Sequence, residues 1–465
     1  MRSYERGRRV MPSEQRGAPV EACAGETPFG LRAESTADTK LAQIAKRALE
    51  EPKLKFTAVM HHFSEANLEQ CYRELDGRKA PGVDGISKEE YGRELNRNVD
   101  ELVGRLKRFS YRPEPVRRVL IPKGDGKMRP LGISCVEDKL VQRMTAKILE
   151  AIYEQSFLDC SYGFRPARGC HEAVRDAYQH LYRGRVRWVV DIDIQAYFDT
   201  IDHEWLMRCL RERIADPKFL RLIERMLKAG VLTEGEFSAT DEGTPQGSMV
   251  SPVLSNIYLH YILDLWFEKV VKKQMRGKAS LWRYADDSIA FFEDGDDARG
   301  FVEMLQERFG KFGLRLHPTK TKIVCFDRTV KGSGTFDFLG FTFYYGKSRK
   351  GNRVAKIRTS INRLRGKLKQ FKEWLKANRN CSRLPELWET AKLKLLGHIN
   401  YYGVSGNSRS LSWFCWHCMR LLFKWLNRRS QKRSFNWNGF QQRLRQFPLP
   451  QPRIKVALYA VPAYR

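Results

Sequence analysis

No stretch of the sequence is apolar for long enough to cross a bilayer, and the mean hydropathy of −0.53 agrees. The N-terminus, MRSYERGRRVMPSEQRG, is positively charged but lacks the apolar run of a secretory signal. Glu5, Glu14, Glu21 and Glu26 also fit poorly with an acid-poor organelle transit peptide. Disulfide-framework spacing is missing: ten cysteines scattered over 465 residues suit a reducing compartment. The one tight pair, Cys415 and Cys418, has no second ligand pair at zinc-site spacing, so both are expected to pack on a helix. The nine histidines, the serines and the cysteines form no recognisable nucleophile motif. His61 and His62 are adjacent and on a helix could not face one metal. The string GFTFYYGKS has one residue too many between Gly340 and Gly346 for a phosphate-binding glycine loop.

Acidic residues are also in short supply, and this deficit points somewhere. Lys and Arg total 84 against 54 Asp and Glu, a formal net charge of +30 with a pI near 9.8. A surface of that kind repels itself and attracts polyanions. Hydrophobic residues at 42% and aromatics at 12% are enough for a real core, which excludes wholesale disorder. The length suits two or three domains at roughly 100–200 residues each. Residues 353–445 hold 22 Lys/Arg and three acids, Glu373, Glu386 and Glu389, together with six of the ten Trp. Basic residues interleaved with aromatics can bind RNA through phosphates and unpaired bases. Most of these Trp are expected inside a helical bundle, with the cations outside.

Residues 1–38 show no apolar periodicity and are expected to form a flexible extension. A helical pattern runs from Lys40 to Leu54, and KAPGVDGIS is a glycine- and proline-punctuated loop. VRRVLIPKGDGKMRPLGIS predicts a basic hairpin turning at Gly124–Gly126. In RWVVDIDIQAYFDTIDH, Val190, Ile192 and Ile194 alternate with Asp191 and Asp193, the period of a strand with one apolar face. Asp202 then caps a helix. GTPQGSMVSPVLSNIYLH is a loop leading into a helix, and LWRYADDSIAFFEDG is a hairpin carrying Asp286 and Asp287 at its tip. GLRLHPTKTKIV and FDFLGFTFYY predict further strands, and the proline-flanked tail has a short strand-like centre. There is no internal repeat.

Asp193, Asp286 and Asp287 are the chemical centre of this pattern. Phosphoryl transfer between nucleotides uses two Mg²⁺ ions about 3.5–4 Å apart, and Mg²⁺ prefers carboxylate oxygens. Aspartates on adjacent rigid strands supply that arrangement, whereas a lone Asp-Asp turn would mean little. The ordered blocks KAPGVDGIS, RRVLIPKGDGKMRPLGIS, YGFRPARGCHEAV, DIDIQAYFDTIDH, GTPQGSMVSPVLSNIYLH, RYADDS, LHPTKTKI and FLGF together resemble a group II intron-encoded reverse transcriptase/maturase. The region around KLLGHINYYGV resembles that family's thumb/maturase domain, so the resemblance covers about four fifths of the chain.

The resemblance implies an α+β right-hand polymerase, with fingers and an antiparallel palm sheet over residues 39–350. A helical thumb/maturase domain follows over 351–447, then a tail at 448–465. It implies an RNA-directed DNA polymerase using two Mg²⁺ ions, with Mn²⁺ as a substitute. The expected metal ligands are Asp193, Asp286, Asp287 and the backbone carbonyl of Ile194; Asp191 shares a face with Asp193. Phe198 falls on the steric-gate position that disfavours a ribose 2′-OH, an ordinary core Phe being the alternative. Gln246 falls beside the incoming nucleotide, with a plain loop amide as the alternative. Lys123 and Arg129 resemble the residues that grip the triphosphate, although a basic hairpin also suits template contact. Lys320 is a candidate general acid, against a solvated strand lysine. Arg428, Arg429, Lys432 and Arg433 are candidate RNA contacts. The implied partners are group II intron RNA, an RNA template with DNA primer, deoxynucleoside triphosphates and a DNA target site, within a bacterial cytoplasmic ribonucleoprotein of a mobile element. Many relatives carry a Cys/His-rich endonuclease, but no Cys or His follows Cys418, so none is expected here. Two other readings stay open: a non-catalytic splicing cofactor, which the intact carboxylates disfavour, and a reverse transcriptase redeployed in antiviral defence.

Overall fold

The computed structural model describes residues 36–122, 128–233, 236–238, 242–244, 247–429 and 436–459. The fold is α+β. Its strands are β1 (Val116–Pro122), β2 (Met128–Ile133), β3 (Trp188–Ile192), β4 (Val231–Thr233), β5 (Glu236–Ser238), β6 (Ala279–Tyr284), β7 (Asp287–Phe292), β8 (Lys322–Cys325), β9 (Phe336–Phe338), β10 (Phe341–Lys347) and β11 (Arg353–Thr359). They form three sheets, ordered β2-β1-β4-β5, β6-β7-β3-β8 and β11-β10-β9.

The β6-β7-β3-β8 sheet is antiparallel throughout and positions everything else. Side chains alternate across a strand, so its two faces belong to different cores. Val190, Ile192, Leu281, Ala290 and Phe292 face the first core. That core is built on the helices Val136–Tyr153, Ser251–Leu259 and Gly295–Gly310. Val189, Ile289 and Phe291 face the second core, with Phe336, Phe338 and Phe343 of the β9–β11 sheet. Toward the strand ends, the positions that continue this second face are Asp191, Asp193 and Asp287 rather than apolar residues. The sheet is therefore greasy along its length and acidic at one end.

Local chemistry sets the helix starts. Asp202 accepts a hydrogen bond from the Trp205 N–H at 2.8 Å, capping His203–Arg211 as its position predicts. Asp216 caps Pro217–Leu227, whose proline occupies the first turn where no N–H is needed. The helix Ser251–Leu259 continues into two π-helical segments, His260–Asp264 and Phe267–Val271. The expected Lys40–Leu54 helix runs over Thr36–Glu50.

Among the described residues, four helices follow the last sheet: Ile361–Asn378, Leu384–Tyr402, Ser408–Leu426 and Trp437–Gln446. Each buries an apolar stripe in the second core, Cys415 and Cys418 included. The division expected between residues 350 and 351 runs through the β10–β11 hairpin, whose seven paired positions hold both sides together. The break between strand and helix comes at Thr359–Ile361 instead. The described part of the tail, residues 448–459, packs inward: Leu449 and Leu458 are buried in the second core, and Val456 bridges Val404. Of the LHPTKTKIV segment, only Lys322 onward is strand; Lys320 lies in the turn before it.

Candidate active site

Asp193 stands one residue beyond β3. An isolated bridge, Ile194 to Leu316, extends the pairing there, flanked by His317 N–H to Asp193 O at 2.8 Å and Gln195 N–H to Arg315 O at 2.9 Å. These flanking bonds use Asp193 and Gln195, which leaves the Ile194 carbonyl outside this ladder. The Thr321 hydroxyl also donates to the Asp193 carbonyl at 3.2 Å. Lys320 reaches the Asp193 side chain, its Nζ lying 3.1 and 3.2 Å from the two carboxylate oxygens.

The other two aspartates come from the β6–β7 hairpin. Tyr284 pairs with Asp287, so Ala285 and Asp286 form a two-residue turn. Ala285 has φ of 56°, a left-handed conformation that costs a residue with a Cβ about 1–2 kcal/mol. The surroundings hold it there. Gly163 lies so close that an added Cβ would come within 2.4 Å of the Ala285 nitrogen. Arg283 is fully buried on the opposite face of the sheet from Asp287, paired with Asp264 at 2.6 and 2.7 Å. Its remaining N–H groups reach Asn256 Oδ1 at 2.9 Å, the Ser161 hydroxyl at 2.7 Å and the Ala285 carbonyl at 3.1 Å. Asn256 in turn donates to the Gly163 carbonyl at 2.7 Å. One guanidinium thus ties the turn to a π-helical segment and to the SYGF loop.

The carboxylates repel one another. Burial, reinforced by Asp191 and Asp286, pushes Asp287 up to about 7, and the Leu339 N–H opposes that shift. Burial, then Asp193 and Asp337, raises Asp191 to about 7. Asp286 is raised by burial, with Arg129 acting against it. Cations near such a cluster relieve its repulsion. Among the described residues, no group of three or more His, Cys, Asp or Glu side chains is gathered so as to hold a metal ion by itself. An open set of this kind suits Mg²⁺, which keeps water and phosphate oxygens and takes one or two protein carboxylates.

Of the other predicted residues, Arg129 on β2 is near enough to favour the ionised form of Asp286. Phe198 occupies a short 3₁₀ turn, half-buried, its ring 5.2 Å from that of Tyr197. Its carbonyl accepts the Thr244 N–H at 2.7 Å. A Cβ at Gly243 would meet that carbonyl at 2.8 Å, and one at Gly247 would meet the Gly132 carbonyl at 2.5 Å. The two ends of the TPQG loop are thereby seated between the Phe198 turn and the end of β2. Gln246 itself, Lys123, Lys432 and Arg433 lie outside the described residues. Arg428 and Arg429 lie just past the helix Ser408–Leu426, far along the chain from the carboxylates; Arg428 stacks 5.2 Å over Trp425, and Arg429 donates to the Ser382 carbonyl at 3.1 Å. Reading the sequence missed Arg283 and Asp264. The available signal was a charged residue at an inward position of the apolar strand LWRYA.

Comparison with known proteins fits this geometry. A family model described as reverse transcriptase (RNA-dependent DNA polymerase) matches residues 121–343, which include both Asp-bearing segments. Protein YkfC of Escherichia coli is 37% identical over 308 residues, covering 59% of this chain and 78% of that protein. The group II intron-encoded protein LtrA of Lactococcus lactis is 38% identical over 222 residues, covering 47% of this chain and 37% of its own length. An uncharacterised 91 kDa protein in the cob intron of Schizosaccharomyces pombe is 44% identical over 172 residues, 37% of this chain and 21% of that protein. The chain thus spans most of YkfC but little more than a third of LtrA. With the carboxylates at one end of an antiparallel sheet and matched blocks on either side of them, the chain belongs to the group II intron-encoded reverse transcriptase/maturase family, with the right-hand polymerase fold of reverse transcriptases.

Proposed function

We propose that Asp193, Asp286 and Asp287 hold divalent cations, Mg²⁺ or Mn²⁺, at the centre where RNA is copied into DNA. The observation that carries this reading is the acidic end of the β3–β7 pair, where burial, with the neighbouring carboxylates adding to it, raises Asp287 and Asp191 to about 7. Cations bound there would activate the attacking primer hydroxyl and steady the leaving pyrophosphate. The chain's own residues do the rest. The buried Arg283 holds the Asp286 turn, and the Ile194 carbonyl adds an oxygen beside Asp193. Arg129 and Lys123 neutralise the triphosphate of the incoming deoxynucleotide. Phe198 and Gln246 flank its sugar, Phe198 excluding a 2′-OH. Lys320 sits on Asp193, where it can supply a proton to the leaving group.

In this reading the first core and its sheets are fingers and palm, and the C-terminal helices are the thumb/maturase region. Those helices hold template and primer and bind the host intron RNA, assisting its splicing and its movement to a DNA target. Their cationic excess over residues 353–445 supports this.

Asp286→Asn or Asp193→Asn preserves side-chain size and removes a ligand charge. Primer extension on an RNA template with Mg²⁺ as the sole metal is expected to fall by three orders of magnitude or more, with the melting temperature unchanged or raised. Near-normal synthesis by either variant overturns the metal assignment.

A further inference from the structure

The helix Ser408–Leu426 buries one side and presents the other to solvent. Leu411, Phe414, Cys418 and Leu422 line the buried side. Opposite them, Arg409, Trp413, Trp416, Arg420 and Lys424 recur at three- or four-residue intervals, which places them along one helical face. All five are exposed, Trp413 by 42% and Trp416 by 48%. Two indoles on a helix otherwise committed to a core are an unusual expenditure of apolar surface. Their orientations are defined by neighbours. The His417 ring lies 3.7 Å from Trp413 and 4.7 Å from Trp416, and the Arg420 guanidinium stacks 4.9 Å from the Trp416 ring.

Charge narrows the kind of partner. Neither this helix nor Trp437–Gln446 contains an acidic residue. A second copy of the same face would meet like charge, and an apolar peptide would leave the cations unpaired. A nucleic acid answers both features, and the exposed aromatic faces select unpaired bases over a closed duplex, whose bases are stacked on each other.

We propose that this face is a stacking platform for an unpaired RNA segment: Trp413 and Trp416 receive base faces, while Arg409, Arg420 and Lys424 hold the flanking phosphates. The inference rests on the reading that the C-terminal helices bind RNA, and it names which part of an RNA they take.

The test uses the full-length protein, an unstructured oligouridylate and an RNA duplex of equal length. Trp413→Ala/Trp416→Ala is compared with Trp413→Phe/Trp416→Phe. The alanine pair is expected to weaken single-strand binding about tenfold or more. Duplex binding should change less than twofold, and the slope of log affinity against log salt should stay put, because no phosphate contact is removed. The phenylalanine pair, which keeps a ring at each position, should recover most of the lost affinity. Equal weakening on strand and duplex, or no weakening with circular dichroism unchanged, overturns the proposal. Primer extension on a pre-annealed template and primer separates this from the broader reading: activity in the alanine pair leaves the polymerase assignment standing whatever the binding result. A wild-type protein that holds neither RNA overturns the RNA-binding reading and the platform together.

Discussion

Arg283 shows how much of a polymerase site depends on residues that never touch substrate. Its five N–H groups cannot be matched by an ammonium. Arg283→Lys keeps a cation for Asp264 but gives up several of the bonds to Asn256, Ser161 and the Ala285 carbonyl. Expected is a fall in kcat for primer extension of at least tenfold, with KM for the deoxynucleotide changed less than threefold. Arg283→Met leaves Asp264 buried and unpaired, at a cost of about 3–5 kcal/mol in unfolding free energy. If the lysine variant loses stability but no kcat, Arg283 is a structural ion pair only. The carboxylates themselves were legible in the sequence, because strand period and hairpin pattern aligned them. The contacts that aim them were not. Arg283 reads as an ordinary strand cation until its partner 19 residues upstream is seen, and Lys320 gives no sign that it spans 127 residues to Asp193.

At the scale of elements, pattern reading located the β1–β2, β6–β7 and β9–β10 hairpins and the C-terminal helices, since each has its own period. It failed where pairing alone makes the element. Basic RVAKIRT becomes β11 because β10 is beside it, and within HPTKTK only Pro318, Thr319 and Lys320 form a turn, since Lys322 already pairs with Asp191. Of the C-terminal tryptophans, Trp388 and Trp425 are buried as expected, whereas Trp413, Trp416 and Trp437 are exposed; Trp413, Trp416 and Trp425 share the helix Ser408–Leu426, whose core stripe takes only Trp425. Within the same bundle, His398 of the helix Leu384–Tyr402 stacks 3.6 Å from Phe414, and among the described residues neither ring nitrogen has a hydrogen-bond partner. Burial, with Lys367 nearby, lowers its pKa to about 3. The folded state therefore keeps it neutral while the unfolded chain takes up a proton near pH 6.5. Its contribution to stability is complete above that pH and is lost as the pH falls from 6.5 toward 3, by up to about 2 kcal/mol at pH 5. His398→Phe, which retains the stack, should reduce the drop in urea midpoint between pH 7 and pH 5. An unchanged drop would show that His398 charges freely in the native protein. His62 and His260, lowered to about 4 by burial, titrate in the same direction and remain in that variant.

Over the whole molecule, charge is segregated: a compact acidic cluster lies on a sheet, and a cationic bundle follows it in the chain. Catalysis and RNA retention should therefore separate. Asp286→Asn/Asp287→Asn is expected to bind intron RNA at least as tightly as the unaltered protein, having lost two negative charges, while making no cDNA. Weaker binding by a well-folded double variant would place the RNA on the carboxylates themselves. Phosphate contacts should show in the salt dependence, and removing the exposed Arg428 should flatten the slope by about 0.7–0.9 if it holds one phosphate. An identical slope would mean that Arg428 serves only Trp425.

The two functions are separable by chemistry but not by scissors. The β6-β7-β3-β8 sheet is a party wall, each face the lining of a different room. A fragment beginning at Ser360 would part from Phe336, Phe338, Phe341 and Phe343, the aromatic floor on which its helices rest. It would also lose the helix Cys170–Arg183, whose Gln179 donates to the Leu458 carbonyl at 3.3 Å. Such a fragment should bind hydrophobic dyes and melt without a cooperative transition, whereas the intact chain nicked near residue 350 should stay associated as two pieces and melt as one.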